Sequence, residues 1–244
     1  MKHENATWPE IKQRLERGKT LAILPIGAEE EHGPHLPLAT DTIMAAGFAE
    51  RLSEALDALL LPTIPYGETW TTSGYPGTIS LSFNTVLAII LDIGQSLAAQ
   101  GVSALVIVNG HFGNQAPLEQ ASRQLLTEQH LPTLIVNYPG MEQAAAAICE
   151  SKPAAPGFYH ADEFETSIVL ALKPETVHMD RAEAEYPQFP AVFGSVPLKL
   201  DSFNRSGVFG DPRPATAEKG ERLLSALEAP ALRLIRAFLA TLDA

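Results

Sequence analysis

Short apolar runs alternate with amphipathic stretches along most of this chain, and that alternation limits the fold more than any other feature. Leu21 to Ile26, Leu60 to Ile64, Ala104 to Val108 and Thr133 to Asn137 are brief apolar runs, which predict strands. Asp41 to Leu59, Asn84 to Gln100, Asn114 to Gln129, Glu163 to Leu172 and Ala215 to Leu242 predict helices. In the second of these, Val86, Ile89, Ile90, Ile93 and Leu97 mark one apolar face, and Gly101 follows as a usual C-cap residue. Strands and helices in alternation imply an α/β sandwich with a mostly parallel sheet. The chain has 244 residues, which fits one domain spanning 1–244. A chain of this size buries roughly 70–75% of its unfolded surface and needs no disulfide or metal to hold a core.

Composition removes several function classes. Cys149 is the single cysteine, so an intrachain disulfide and a thiolate zinc cluster are both excluded. Any zinc here must be held by His and carboxylate side chains. A formal net charge of −12 argues against a nucleic-acid partner, which calls for a basic face. No apolar run reaches the roughly 18–20 residues of a membrane span, and Val86 to Ile93 is interrupted by Asp92. The opening Met1 to Trp8 is polar and lacks a signal-peptide core. A cytoplasmic protein without membrane partners is the expectation.

The segment Glu30-Glu31-His32-Gly33-Pro34-His35-Leu36-Pro37-Leu38-Ala39-Thr40-Asp41 follows the first predicted strand directly. If the backbone stays extended, Glu30 and His32 point the same way, roughly 6–7 Å apart along the chain. That spacing suits two donors serving two adjacent metal ions, and Asp41 can reach back from the start of the next helix. On the same assumption, Glu31 faces away. Asn109-Gly110-His111-Phe112-Gly113-Asn114 follows the strand Ala104 to Val108. Ligands in open α/β sheets gather beyond the carboxyl ends of strands, where His111 falls. A third cluster, His160-Ala161-Asp162-Glu163-Phe164-Glu165-Thr166-Ser167, opens a helix. Acidic residues in a first helical turn are already explained by the helix dipole, and Asp41 has the same plain explanation. Each cluster is weak alone; three of them at sheet-edge loops of one α/β fold point to a metal-dependent enzyme.

These motifs together resemble the creatininase-type metal-dependent amidohydrolases. That family carries Glu-x-His-Gly-x-His-Leu-Pro-Leu-x-x-Asp, an Asn-Gly-His loop and a His-Ala-Gly-Glu-x-Glu-Thr-Ser segment. The resemblance runs from about Leu21 to Lys219 and includes Tyr66-Gly67, Tyr75-Pro76-Gly77-Thr78 and Ser206 to Pro212. It implies a three-layer α/β/α fold and a homo-oligomer of hexamer type acting on a small-molecule substrate. It implies two divalent metal ions, zinc favoured and manganese or iron compatible. Glu30, Asp41 and His111 would hold one ion, and His32, Asp41 and Glu165 the other, with Asp41 shared. Some members use a Glu two residues after the Asn-Gly-His histidine; Gly113 stands there, so Glu165 takes that place. The implied chemistry is hydrolysis of a non-peptide C–N bond, in a cyclic amide or formamide, by hydroxide bridging the two ions. His160 or Glu163 would protonate the leaving nitrogen. His35 would orient a metal donor.

Departures from the pattern bear on the substrate. Thr72 stands where the family often has His, and Asp162 where glycine is common. An acid at 162 is expected to raise the His160 pKa or repel anions. The creatinine-hydrolysing members use tryptophans before the catalytic histidine, whereas Phe158 and Tyr159 stand here, which disfavours creatinine itself. Other family substrates include a formylaminopyrimidine nucleotide, a modified peptide and a keto-inositol ring. Arg205 and Arg213 are the cations near an aromatic, proline-rich stretch from Tyr186 to Pro214, and surface solvation is their simpler role. That stretch reads as a covering loop or a subunit contact. Two further readings remain: a catalytically silent oligomeric ligand-binding protein of the same fold, and a single structural metal site.

Overall fold

The computed structural model describes residues 1–242. Four strands form one parallel sheet in the order β2-β1-β3-β4, with β1 Leu21–Ile26, β2 Leu59–Leu60, β3 Ala104–Asn109 and β4 Thr133–Val136. β1 and β3 pair along their full length, from Leu21 opposite Ala104 to Ile26 opposite Asn109. Both are buried throughout, as continuous apolar runs in a doubly covered parallel sheet must be.

Alternation along the strands sends two sets of side chains to two cores. On one face, Ile23, Val106 and Val108 pack with helices α2 (Thr40–Leu56), α5 (Met141–Ile148), α6 (Glu163–Leu172) and α7 (Ala217–Thr241). On the other, Leu24, Leu105 and Ile107 pack with α1 (Trp8–Glu16), α3 (Phe83–Ala99) and α4 (Gln115–Gln129). The result is the three-layer α/β/α sandwich. No helix among the described residues is long and apolar enough to cross a membrane.

Several boundaries differ from expectation for identifiable reasons. The strand expected over Leu60 to Ile64 shrinks to Leu59–Leu60, with one more bridge from Ile64 to Ile26. Pro62 has no N–H to give to a ladder. The same gap accommodates Pro25 inside β1, because its missing N–H faces the side where β2 has already stopped. α2 ends at Leu56 because Asp57 adopts a left-handed conformation (φ 48°) and Ala58 turns into β2. Two further helices are short, nine and eight residues. α1 buries only Ile11 and starts from a Thr7/Glu10 capping box, and α5 is alanine-rich and follows Gly140 (φ 88°). The stretch from Tyr186 to Pro214 is irregular apart from the 3-10 turn Leu200–Ser202.

α6 and α7 approach so closely that a Cβ on Gly220 would lie 1.9 Å from the Ser167 carbonyl oxygen. Gly220→Ala is therefore expected to cost about 1–3 kcal/mol through overpacking. Urea unfolding measures it, and an unchanged midpoint would contradict the close approach.

Candidate metal centre

The loops after β1 and β3 leave the carboxyl end of the sheet side by side, and α2 begins between them. Gly110 makes that convergence possible, since a Cβ there would stand 2.4 Å from the Asp41 carbonyl oxygen. Asp41, in the first turn of α2, thus comes against His111 at the end of β3. Its two carboxylate oxygens face two different sets of donors. Oδ2 lies 3.0 Å from His111 Nδ1, which is also 2.9 Å from Glu30 Oε1. Oδ1 lies 3.3 Å from His32 Nε2, which is 3.6 Å from Glu165 Oε2. All five side chains are buried.

These spacings match the edge of a coordination shell, about 3.4 Å for a tetrahedron with bonds near 2.1 Å. Glu30, Asp41 and His111 can hold one ion, and His32, Asp41 and Glu165 a second. The imidazoles are set for this role. His111 Nε2 donates to the Glu68 carbonyl at 2.8 Å, leaving Nδ1 with a lone pair aimed at two carboxylates. His32 Nδ1 donates to the Glu30 carbonyl at 3.2 Å, leaving Nε2 bare. Neither His32 Nε2 nor Asp41 Oδ2 has a hydrogen-bond partner. A lone pair facing buried anions is unfavourable unless a cation lies between them.

The electrostatics agree. Burial pulls the His32 and His111 pKa values down, yet the surrounding carboxylates outweigh it and hold both well above the ordinary imidazole value. Asp41 is held well below the carboxylate range because the two histidines overcome its burial. Without metal, protons on the imidazoles supply the positive charge that the cluster requires.

His160 stands beside this cluster, its ring centroid 4.4 Å from that of His32. Its Nε2 donates to Glu31 Oε1 at 2.9 Å, and burial is outweighed so that its pKa rises. Glu31 stays out of the two donor sets and is drawn to His160 instead. The backbone turns just beyond it, at Gly33 (φ 67°). Glu31 Oε2 accepts from the Gly33 N–H at 3.1 Å, which fixes its carboxylate toward His160.

Glu163 lies apart from the cluster. It is 200° from Glu165 around α6, since two residues advance a helix by that angle. Its carboxylate accepts from Lys219 Nζ at 2.6 Å and from the backbone N–H groups of Glu150 and Ser151. Burial pushes its pKa up, and Lys219 with those N–H groups pulls it further down, so it stays ionised. It ties α6 to α7 and has no path to a leaving group. Asp162 caps α6, accepting from Phe164 N–H and Glu165 N–H, and burial raises its pKa to about 8. It serves the helix end instead of charging the cavity. His35 Nε2 meets Thr166 Oγ1 at 2.9 Å and so docks the metal loop on α6 without touching a metal donor.

Two residues gain roles that spacing did not reveal. Thr72, from the 3-10 turn Trp70–Thr72, donates its hydroxyl to Glu30 Oε2 and leaves Oε1 for His111 and a cation. Gly113 is compelled by crowding, because a Cβ there would lie 2.2 Å from the Glu68 carbonyl and 2.4 Å from His111 Nε2. A side chain at that position would force the Glu68 backbone and the His111 ring to shift, and the carboxylate brought to this side of the cluster is that of Glu165.

A cavity of about 300 Å³ opens over the cluster, walled by Thr71, Phe112, Phe158, Tyr159, Phe193 and Leu200. Phe158, Phe189, Phe193, Phe203 and Phe209 pack ring to ring, and Phe209 meets the His160 ring edge-on at 5.7 Å. The proline-rich stretch is thus a cover. Tyr75 OH holds it through the Asn204 carbonyl at 2.8 Å, and the Lys199 ammonium sits 5.9 Å over the Trp70 ring. Arg205 and Arg213 stay outside, Arg213 paired with Asp211 at 2.7 Å.

Comparison with known proteins gives one consistent result. The family model for creatinine amidohydrolase matches residues 4–235. Creatinine amidohydrolase of Pseudomonas putida is 30% identical, over 89% of this chain and 89% of its own. The mycofactocin precursor peptide peptidase of Mycobacterium ulcerans is 33% identical, over 90% of this chain and 82% of its own. A solved creatininase variant of Zn–Zn type superposes with a TM-score of 0.85 at 27% identity, covering 97% of each chain.

Glu163→Ala should destabilise the fold by about 1–3 kcal/mol, because the Glu150 and Ser151 N–H groups lose their acceptor and Lys219 loses one of its two carboxylates. Metal uptake should be unaffected. Calorimetry with parallel metal analysis reads both, and metal loss without destabilisation would reverse the assignment.

Proposed function

Because the chain belongs to the creatininase family, we propose that it is a metal-dependent amidohydrolase that uses two divalent ions to cleave a C–N bond. One observation carries this: the two oxygens of Asp41 face two separate imidazole–carboxylate sets, each with a bare ring nitrogen. A single structural ion needs one closed set of donors and leaves the other unexplained. A silent binder has no need of five buried donors.

The set contains nitrogen and oxygen donors and no thiolate, which suits zinc, manganese or ferrous iron. Solved structures similar to this chain include a Zn–Zn creatininase and a manganese one, and zinc is proposed first. Bound ions supply an activated water and polarise the scissile carbonyl.

The chain's own residues do the rest. Glu30 is held by Thr72 and Glu165 by the Ala161 N–H at 2.6 Å, so the anionic donors do not reorganise. His160, steadied by Glu31 and kept cationic by it, delivers a proton to the leaving nitrogen. In the balanced step, the C–N bond breaks, water's oxygen joins the carbonyl carbon and one of its protons ends on nitrogen. An acid and an amine result. The aromatic cover keeps bulk water from the reacting groups.

Cyclic amides and formamides are the substrates proposed first. The peptidase relative makes a peptide bond a required member of any test panel. The working assembly is a single-domain homo-oligomer in the cytoplasm, a proposal made on family resemblance.

The test is turnover of a panel of lactams, formamides and short peptides by zinc-loaded protein, with His160→Ala alongside. The variant should keep its metals and lose about 10²-fold or more in kcat. Full turnover by the variant would remove His160 from proton transfer, and no turnover of any member by the parent would count against the amidohydrolase reading.

A further inference from the structure

The cavity walls constrain what the centre can take. Phe112 is 52% exposed, yet it sits between His111 and Gly113 with its ring on the cavity and not in a core. Phe158 and Tyr159 line the same space from the segment before His160, and Phe193 and Leu200 reach it from the cover. Five apolar or aromatic side chains from three separate segments therefore converge above the metal donors. A wall of this kind binds by desolvating an apolar group, ring against ring.

The charges are as informative. No Lys or Arg lines the cavity. Lys199, next to Leu200, spends its ammonium on the Trp70 ring. Lys219 is locked to Glu150 and Glu163, and Arg213 to Asp211. Three carboxylates, Glu30, Asp41 and Glu165, nearly offset two divalent ions, and a deprotonated water removes the remainder. A phosphate or carboxylate on the substrate would enter desolvated, and the one other cationic group on the wall, His160, is already paired with Glu31 at 2.9 Å. The volume of about 300 Å³ lies at the small end of ligand sites, room for an amide and one ring.

Building on the hydrolase reading above, we propose that the substrate is a small uncharged amide carrying an aromatic or branched apolar substituent, seated on Phe112, Phe158, Phe193 and Leu200. Nucleotide-like and acidic amides are poor fits to this site. The carbonyl faces the metal donors and the ring lies under the cover.

Hydroxamates of three kinds test this on the zinc-loaded protein by titration calorimetry: acetohydroxamate, benzohydroxamate and 4-carboxybenzohydroxamate. All three present the same metal-seeking group and differ only in what meets the wall. Benzohydroxamate should bind at least about tenfold tighter than acetohydroxamate, and the carboxylated ring should lose about tenfold or more relative to benzohydroxamate. Phe193→Ala and Phe112→Ala should each shrink the benzo-to-aceto ratio, a readout that does not depend on absolute affinity. A ratio within about twofold of unity, or tighter binding of the carboxylated ring, would overturn the substrate class while leaving the metal centre standing. Failure of all three to bind would overturn the metal-hydrolase reading itself, and the substrate proposal with it.

Discussion

Asp41 lies buried with a donor atom within 4.8 Å of Glu30 on one side and of Glu165 on the other, and the rest of the site follows from that concentration of negative charge. Buried anions of like sign repel and lose hydration, so such a cluster persists only around cations. His32 and His111 answer part of the demand, but each already donates its one neutral-form proton to a backbone carbonyl. Two carbonyls therefore decide which ring nitrogens stay bare, and both bare nitrogens point at Asp41. The backbone of the loops, as much as the side chains, sets the polarity of the centre.

Close approach is the second constraint. Helix α2 can start against the end of β3 only where Gly110 has no side chain, and that brings Asp41 between two loops that are 79 residues apart from His32 to His111. Gly113 is crowded in the same way. Its lack of a side chain removes one candidate donor position, and α6 brings Glu165 to the cluster, linking it to the α6–α7 face. Lys219 of α7 in turn holds Glu163, so the helix that presents Glu165 is anchored from behind.

Much of this was legible in the residues. Apolar runs marked the four strands, and the helices α2, α3, α4, α6 and α7 were readable from spacing and caps. The five metal-donor candidates were legible too, and the structure draws all of them into one cluster. What escaped had physical causes. α1 and α5 are only nine and eight residues long, and Pro62 ends early a strand whose hydropathy is sufficient. Glu163 looked like a donor of protons because it neighbours the motif, but helical rotation turns it toward Lys219. The pairing of Glu31 with His160 spans 129 residues, which no local pattern records. Thr72 was visible only as a departure, and its bond to Glu30 depends on a fold-back of 42 residues that no local pattern records.

In the proposed centre, Asp41 joins two metal positions. That arrangement is tested most directly by counting ions per chain by mass spectrometry on the full-length protein, before and after incubation with zinc, manganese and ferrous iron. Two tightly held ions per chain are expected after reconstitution with at least one of these metals. One ion, or none, would contradict it.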